Sequence, residues 1–129
     1  MTRPPHIAAI TLLVADYDVA LNWYRDCLGF SVEDRDLGSG KRWVTVTPPG
    51  GGVALLLGRA VNERQSAAVG SQSGGRVFLF LNTDDFARDH AAMTAAGVRF
   101  LEAPRYESYG VVAVFEDLYG NRWDLLEPA

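Results

Sequence analysis

Cysteine occurs once in this 129-residue chain, at Cys27, and histidine twice, at His6 and His90. One cysteine cannot close an intrachain disulfide and leaves no Cys-rich zinc site. Two histidines limit both acid–base and metal chemistry. No apolar run approaches the roughly 18 residues needed to span a membrane, so no membrane partner is expected. A basic excess is also missing: 12 Lys and Arg stand against 16 Asp and Glu, a net charge of −4. Nucleic-acid binders carry a basic face, so that class is not expected either. There is no low-complexity tract, no long charge block and no secretory pattern in Met1–Pro5. A cytoplasmic location is the expectation. What is present is ordinary for one globular domain: 48% hydrophobic and 22% charged residues. A chain of this length buries roughly two thirds of its unfolded surface and needs no staple.

The pattern along the chain falls into two similar halves. Ile7–Val14 is apolar and β-branched, a strand covered on both faces. Asp16-Tyr17-Asp18 supplies cap chemistry, and Val19–Leu28 has helical spacing that Gly29 ends. Strands are expected at Phe30–Leu37, Arg42–Thr47 and Val53–Leu57. The polar stretch 62–75 reads as a linker between pseudo-repeats 5–61 and 73–128. The second half runs strand Arg76–Leu81, cap Thr83-Asp84-Asp85, helix Phe86–Ala96, terminator Gly97, then strands Val98–Glu102, Val111–Glu116 and Arg122–Leu126. Asp16 stands thirteen residues before Gly29, and Asp84 thirteen before Gly97. Two matching distances after two apolar strands argue for one module used twice. The fold class is α+β, two βαβββ modules within a single domain, 1–129.

Few residues carry obvious chemistry. His90, between Phe86 and Met93, reads as a helix histidine packed on the sheet. Cys27 behaves as a small apolar residue. The serines have no matching histidine for a triad. Gly50-Gly51-Gly52 is a turn and not a phosphate loop, because no helix follows it.

Val14-Ala15-Asp16 and Trp23-Tyr24-Arg25-Asp26-Cys27-Leu28-Gly29-Phe30 resemble the opening of a vicinal oxygen chelate protein. That superfamily includes glyoxalase I, the bleomycin-resistance proteins and the extradiol dioxygenases. Glu116-Asp117-Leu118-Tyr119-Gly120-Asn121-Arg122-Trp123-Asp124-Leu125 is similar to its closing hairpin. The resemblance implies curled mixed sheets around a cavity, outer helices and a homodimer. It also implies that Ile10 and Leu12 face the helices while Ala9 and Thr11 face the cavity. Phe78 and Phe80 would share the face opposite Val77 and Leu79. The superfamily's metal enzymes place a ligand on the first and last strand of each module. Those positions fall here at Ala9, about Leu55, Phe78 and Asp124, and three of the four lack a donor atom. No metal and no other cofactor is therefore expected.

Other side chains are placed to ring such a cavity. Arg42, Arg76 and Arg105 would hold an anionic ligand, since guanidinium matches oxyanions bidentately. Trp43, Phe78, Tyr109 and Trp123 would stack on a flat one, and Gln72 lies nearby. Arg76 has an alternative role as the ion-pair partner of Asp84 or Asp85. Asp124, on a largely apolar strand, is the candidate catalytic group, because a carboxylate there must be paired or shift its pKa. The leading expectation is a protein that binds a small organic molecule, anionic or aromatic, without the superfamily's metal. The alternatives are a glyoxalase-like lyase or isomerase or a dioxygenase with an atypical site, and a non-catalytic dimerisation module.

Overall fold

A computed structural model describes residues 2–129. The chain divides into two compact units, Met1–Val61 and Asn62–Ala129. The first holds β1 (Ala9–Val14), α1 (Tyr17–Leu28), β2 (Ser31–Gly38), β3 (Lys41–Thr47) and β4 (Ala54–Arg59). Its four-stranded sheet runs β1-β4-β3-β2, with β1 parallel to β4 and the other pairs antiparallel. The second unit holds α2 (Glu63–Ala68), β5 (Val77–Asn82), α3 (Phe86–Ala95), β6 (Arg99–Phe100), β7 (Arg105–Glu107), β8 (Gly110–Glu116) and β9 (Arg122–Pro128). Its sheet runs β5-β9-β8-β6, with β7 also paired to β8. This is the mixed α+β architecture that the sequence pattern implies. Among the described residues no helix is long and apolar enough to cross a membrane.

Strand alternation sends one set of side chains under each helix. In the first unit Leu12, Val14, Val44, Val46, Leu55 and Leu57 are buried together with Ala20, Leu21 and Tyr24 of α1. Burying each large side chain contributes about 1.5–3 kcal/mol. On the other face Ala9 and Thr11 are exposed. In the second unit the face under α3 is an aromatic row. Phe86 stacks on His90 at 5.3 Å, His90 meets Phe100 at 4.3 Å, Phe100 meets Phe115 at 5.6 Å, and Phe115 stacks on Trp123 at 5.8 Å. His90 is thus a packing residue between helix and sheet.

The helix caps differ from the expected count by one residue. Asp16 caps α1, its carboxylate accepting from the Val19 N–H at 2.9 Å. The corresponding cap of α3 is Asp85, which accepts from Arg88 at 3.0 Å. Asp84 instead pairs with Arg88 one turn on, at 3.1 Å. Gly29 and Gly97 both take positive φ and end their helices, as expected. Val98 N–H returns to Met93 and Gly97 N–H to Thr94, the paired bonds of a Schellman end.

Two further departures have local causes. The stretch 62–75 is not merely a linker. Asn62 accepts from the Gln65 N–H at 2.9 Å and starts α2. Gly70 then lies against the Tyr119 carbonyl, at φ +80°, where any Cβ would collide with that oxygen. The strand expected at Val98–Glu102 spans only Arg99–Phe100, with one further bond from the Leu101 N–H to the Val114 carbonyl at 2.8 Å before the chain leaves the ladder. Pairing resumes at Arg105–Glu107, a strand where the sequence suggests only a flanking loop.

Candidate functional site

The break between β6 and β7 builds the most chemically distinctive cluster of the second unit. The Val114 carbonyl accepts from the Leu101 N–H at 2.8 Å, and the Val114 N–H is taken by the Glu102 side chain, Oε2 accepting at 2.9 Å. Glu102 Oε1 accepts from Arg105 Nε at 2.8 Å. Arg105 also donates through one terminal nitrogen to Glu107 Oε1 at 3.3 Å and to the Tyr109 hydroxyl at 3.5 Å. The register places Arg105 opposite Val112, on the side of the sheet that carries Val114 and Asp124. Tyr106, at the intervening position, points the other way.

Asp124 lies between Val114 on β8 and Phe80 on β5. Its neighbours Trp123 and Leu125 turn under α3 and are buried, so Asp124 faces away from the helix. Its Oδ1 is out of solvent and has no hydrogen-bond partner. Burial pushes its pKa above the usual carboxylate value. The Arg105 charge opposes that shift and the Glu102 charge adds to it. Glu102 moves the opposite way, held below its usual value first by the Arg105 hydrogen bond. Arg105 is pushed up by its bonds to Glu102 and Tyr109. Beside Asp124, Phe80 keeps 65% of its surface exposed, and Tyr109, which bonds Arg105, keeps 53%. Asp124 Oδ1 is thus an acceptor without a partner beside an exposed aromatic ring, a combination that costs free energy in the folded protein.

Of the side chains singled out in sequence, Asp124, Arg105 and Tyr109 come together here. Trp123 is on the opposite, helix-covered face and is buried against Phe115. Phe78 sits at a register irregularity between Val77 and Leu79, so Phe80 and not Phe78 is the aromatic neighbour of Asp124. Gln72 is tied to the closing turn, its backbone N–H reaching Asn121 Oδ1 at 3.4 Å. Arg76 is exposed and makes no ion pair among the described residues. Neither expected partner is free for it: Asp84 holds Arg88, and Asp85 caps α3.

Arg42 and Trp43, in the first unit, point to opposite sides of β3. Arg42 bonds Asp34 at 2.8 Å and Asp18 at 2.9 Å, and lies over the Tyr17 ring. Its charge is thereby matched on the α1 side. Trp43 donates to Glu33 at 2.9 Å and lies under Arg35 on the other side. A shallow groove of about 390 Å³ near the start of α1 is lined by Tyr17, Leu37, Lys41, Arg42, Arg59 and Val61.

Glu102 and Phe80 were not among the expected site residues. Glu102 becomes visible only once the strand break leaves the Val114 N–H to be satisfied. The closing motif itself is structural. Asp117 Oδ1 accepts from the backbone N–H groups of Tyr119 and Asn121, and Oδ2 from the Asn121 side chain.

The residues do not fit a divalent metal in the positions that the resemblance implies. Ala9 and Phe78 have no donor atoms. Leu55 is buried under α1, and Leu56, which faces the other way between Thr11 and Thr45, is equally apolar. Asp124 alone supplies oxygen. Among the described residues no three His, Cys, Asp or Glu side chains gather in a way that would hold a metal ion.

The chain is similar to several known proteins over nearly its whole length. An uncharacterized protein of Shewanella frigidimarina (strain NCIMB 400) is 53% identical over 94% of this chain and 92% of its own. The uncharacterized protein YurT of Bacillus subtilis (strain 168) is 31% identical over 89% of this chain and 93% of its own. Among solved structures, TnmS3, an antibiotic binding protein from Streptomyces sp. CB03234, superposes with a TM-score of 0.80. It is 27% identical, with all of both chains covered. The family model described as Glyoxalase/Bleomycin resistance protein/Dioxygenase superfamily matches residues 4–125. On that match and on the fold, the chain belongs to the Glyoxalase/Bleomycin resistance protein/Dioxygenase superfamily.

Proposed function

We propose that the protein binds a small aromatic organic molecule on the face of the second-unit sheet that carries Asp124. It does so as a binding or sequestering protein, with no reaction step in the superfamily's metal position. The observation that carries this reading is Asp124 Oδ1, out of solvent and without a partner beside the exposed Phe80 ring. A folded protein keeps such an oxygen at a cost of about 1–3 kcal/mol, which a bound donor would offset. The likeness to an antibiotic binding protein supports binding over the whole fold. The lack of donor atoms at three of the four implied ligand positions supports a role without that metal.

The test is a panel of flat aromatic natural products followed by amide nitrogen–proton NMR. Ligands that bind here shift the amides of 77–82, 110–116 and 122–128. Phe80→Ala weakens each such ligand, since the ring's stacking is worth about 0.5–1.5 kcal/mol beyond its buried area. A panel whose binders shift only other segments would sink the assignment.

A further inference from the structure

The sequence, with its arginines near the implied cavity, suggests an anionic ligand. The geometry points elsewhere. We propose that the Asp124 face selects neutral or cationic aromatic molecules that carry a hydrogen-bond donor, and rejects carboxylates and phosphates. This rests on the binding reading above and specifies the chemical class of its ligand.

Three observations support it. First, the arginine is already occupied. Arg105 Nε is on Glu102, and one of its terminal nitrogens is shared between Glu107 and Tyr109. Among the described residues Nη2 alone makes no hydrogen bond, so an incoming anion could not take the guanidinium bidentately without competing with a protein carboxylate. Second, the cluster is acidic as built. Glu102 and Glu107 outnumber Arg105 before Asp124 is added, and the charges acting on Asp124 are those of Arg105 and Glu102. Arg122, two residues earlier on the same face, lies opposite Glu116, which also pairs with Arg99 at 3.2 Å. Arg99 and Arg122 thus have one acid between them, and Arg76 makes no ion pair among the described residues, so the acidic excess lies at the Glu102 end of the face. Third, the group lacking a partner is an acceptor. An ionised carboxylate has lone pairs and no proton to give, so a ligand satisfies Oδ1 only by donating. A hydroxyl or an ammonium meets that need, whereas an ether oxygen or a second carboxylate does not. The exposed Phe80 ring at the next strand position supplies the apolar contact and suits a cation above its face.

The experiment uses four ligands on one skeleton at pH 7: 2-naphthylmethylamine, 2-naphthol, 2-methoxynaphthalene and 2-naphthoate. Each is titrated into the labelled protein, and amide shifts in 110–116 and 122–128 are followed. The amine and the naphthol are expected to bind about ten- to a hundredfold more tightly than the methoxy compound, the range of a hydrogen bond to a charged group. The naphthoate is expected to be the weakest. In Asp124→Asn the advantage of the amine falls to less than about threefold, for loss of the acceptor's charge. Glu102→Gln serves as an independent variant that leaves Asp124 in place: with one carboxylate gone, the naphthoate should gain affinity. Naphthoate binding as well as the amine, or methoxynaphthalene as well as naphthol, overturns the ligand class while leaving the binding site standing. No shift on these strands from any of the four overturns the site itself, and the ligand class with it.

Discussion

Replacing Asp117 with alanine tests whether the closing Asp-Leu-Tyr-Gly-Asn turn is structural. The Asp117 side chain is 4% exposed and Asn121 is 2% exposed. One carboxylate oxygen holds the Tyr119 N–H at 2.9 Å and the Asn121 N–H at 3.0 Å. The other holds the Asn121 side-chain amide at 2.9 Å. Alanine removes both oxygens and with them all three hydrogen bonds. Tyr119 lies near the surface, and its N–H regains water cheaply. The buried Asn121 N–H and side chain do not, and each such loss costs about 1–3 kcal/mol. Asp117→Ala should therefore destabilise the protein by about 2–6 kcal/mol. Asp117→Asn keeps the oxygen that serves the backbone but sets its amide against that of Asn121, for a smaller loss of about 1–2 kcal/mol. The assay is urea unfolding followed by tryptophan fluorescence, with the midpoint falling and the slope unchanged. Asp117→Ala within about 0.5 kcal/mol of the parent would refute the reasoning, since that is the range of a featureless surface change.

Asp124→Asn bears on stability as well as on binding. The folded protein raises the Asp124 pKa, chiefly by burial, so the group favours folding at low pH and that contribution is lost as pH rises through the folded pKa. The variant should be more stable than the parent at pH 7, with the gap narrowing as pH falls through the raised folded value toward the ordinary aspartate value of about 3.9 and flat below it. A gap that widens on acidification contradicts the raised value. Gly70→Ala should be strongly destabilising, by more than about 2 kcal/mol, because a Cβ meets the Tyr119 carbonyl at a positive φ; a thermal midpoint within about 2 °C of the parent argues against that packing. Burial, and then the Asp26 charge, push the Cys27 thiol up. Its alkylation at pH 8 should be slower than that of a free cysteine peptide, and equal rates would contradict this.

The order of strands and helices was legible because it depends on local patterns. Alternation in Val44–Val46, apolar spacing in α1, and the left-handed glycines Gly29 and Gly97 are each set by a few adjacent residues. The ends of elements were less so. Asp84 and Asp85 are equally good caps by composition, and only the direction of the chain leaving β5 decides that Asp85 bonds the helix. Pro104 announces a break, yet its neighbours resume pairing at Arg105 because β8 still offers its edge.

The family's closing motif and the scarcity of metal donors were likewise readable from the chain alone, since both are matters of which residue stands at which number. So was Asp124 as an unusual carboxylate on an apolar strand. What surrounds it was not. A bulge in β5 brings Phe80 and not Phe78 beside it, and a strand break sends Glu102 to Val114 and Arg105 to Glu102. Sequence alone put Arg42, Arg105 and Asp124 in one group of polar candidates. Tertiary structure matched the first two with carboxylates and left the third holding an oxygen with no donor. Hydrogen-bond partners come from strands distant in sequence, so the charge a ligand would meet is decided only when those strands pair.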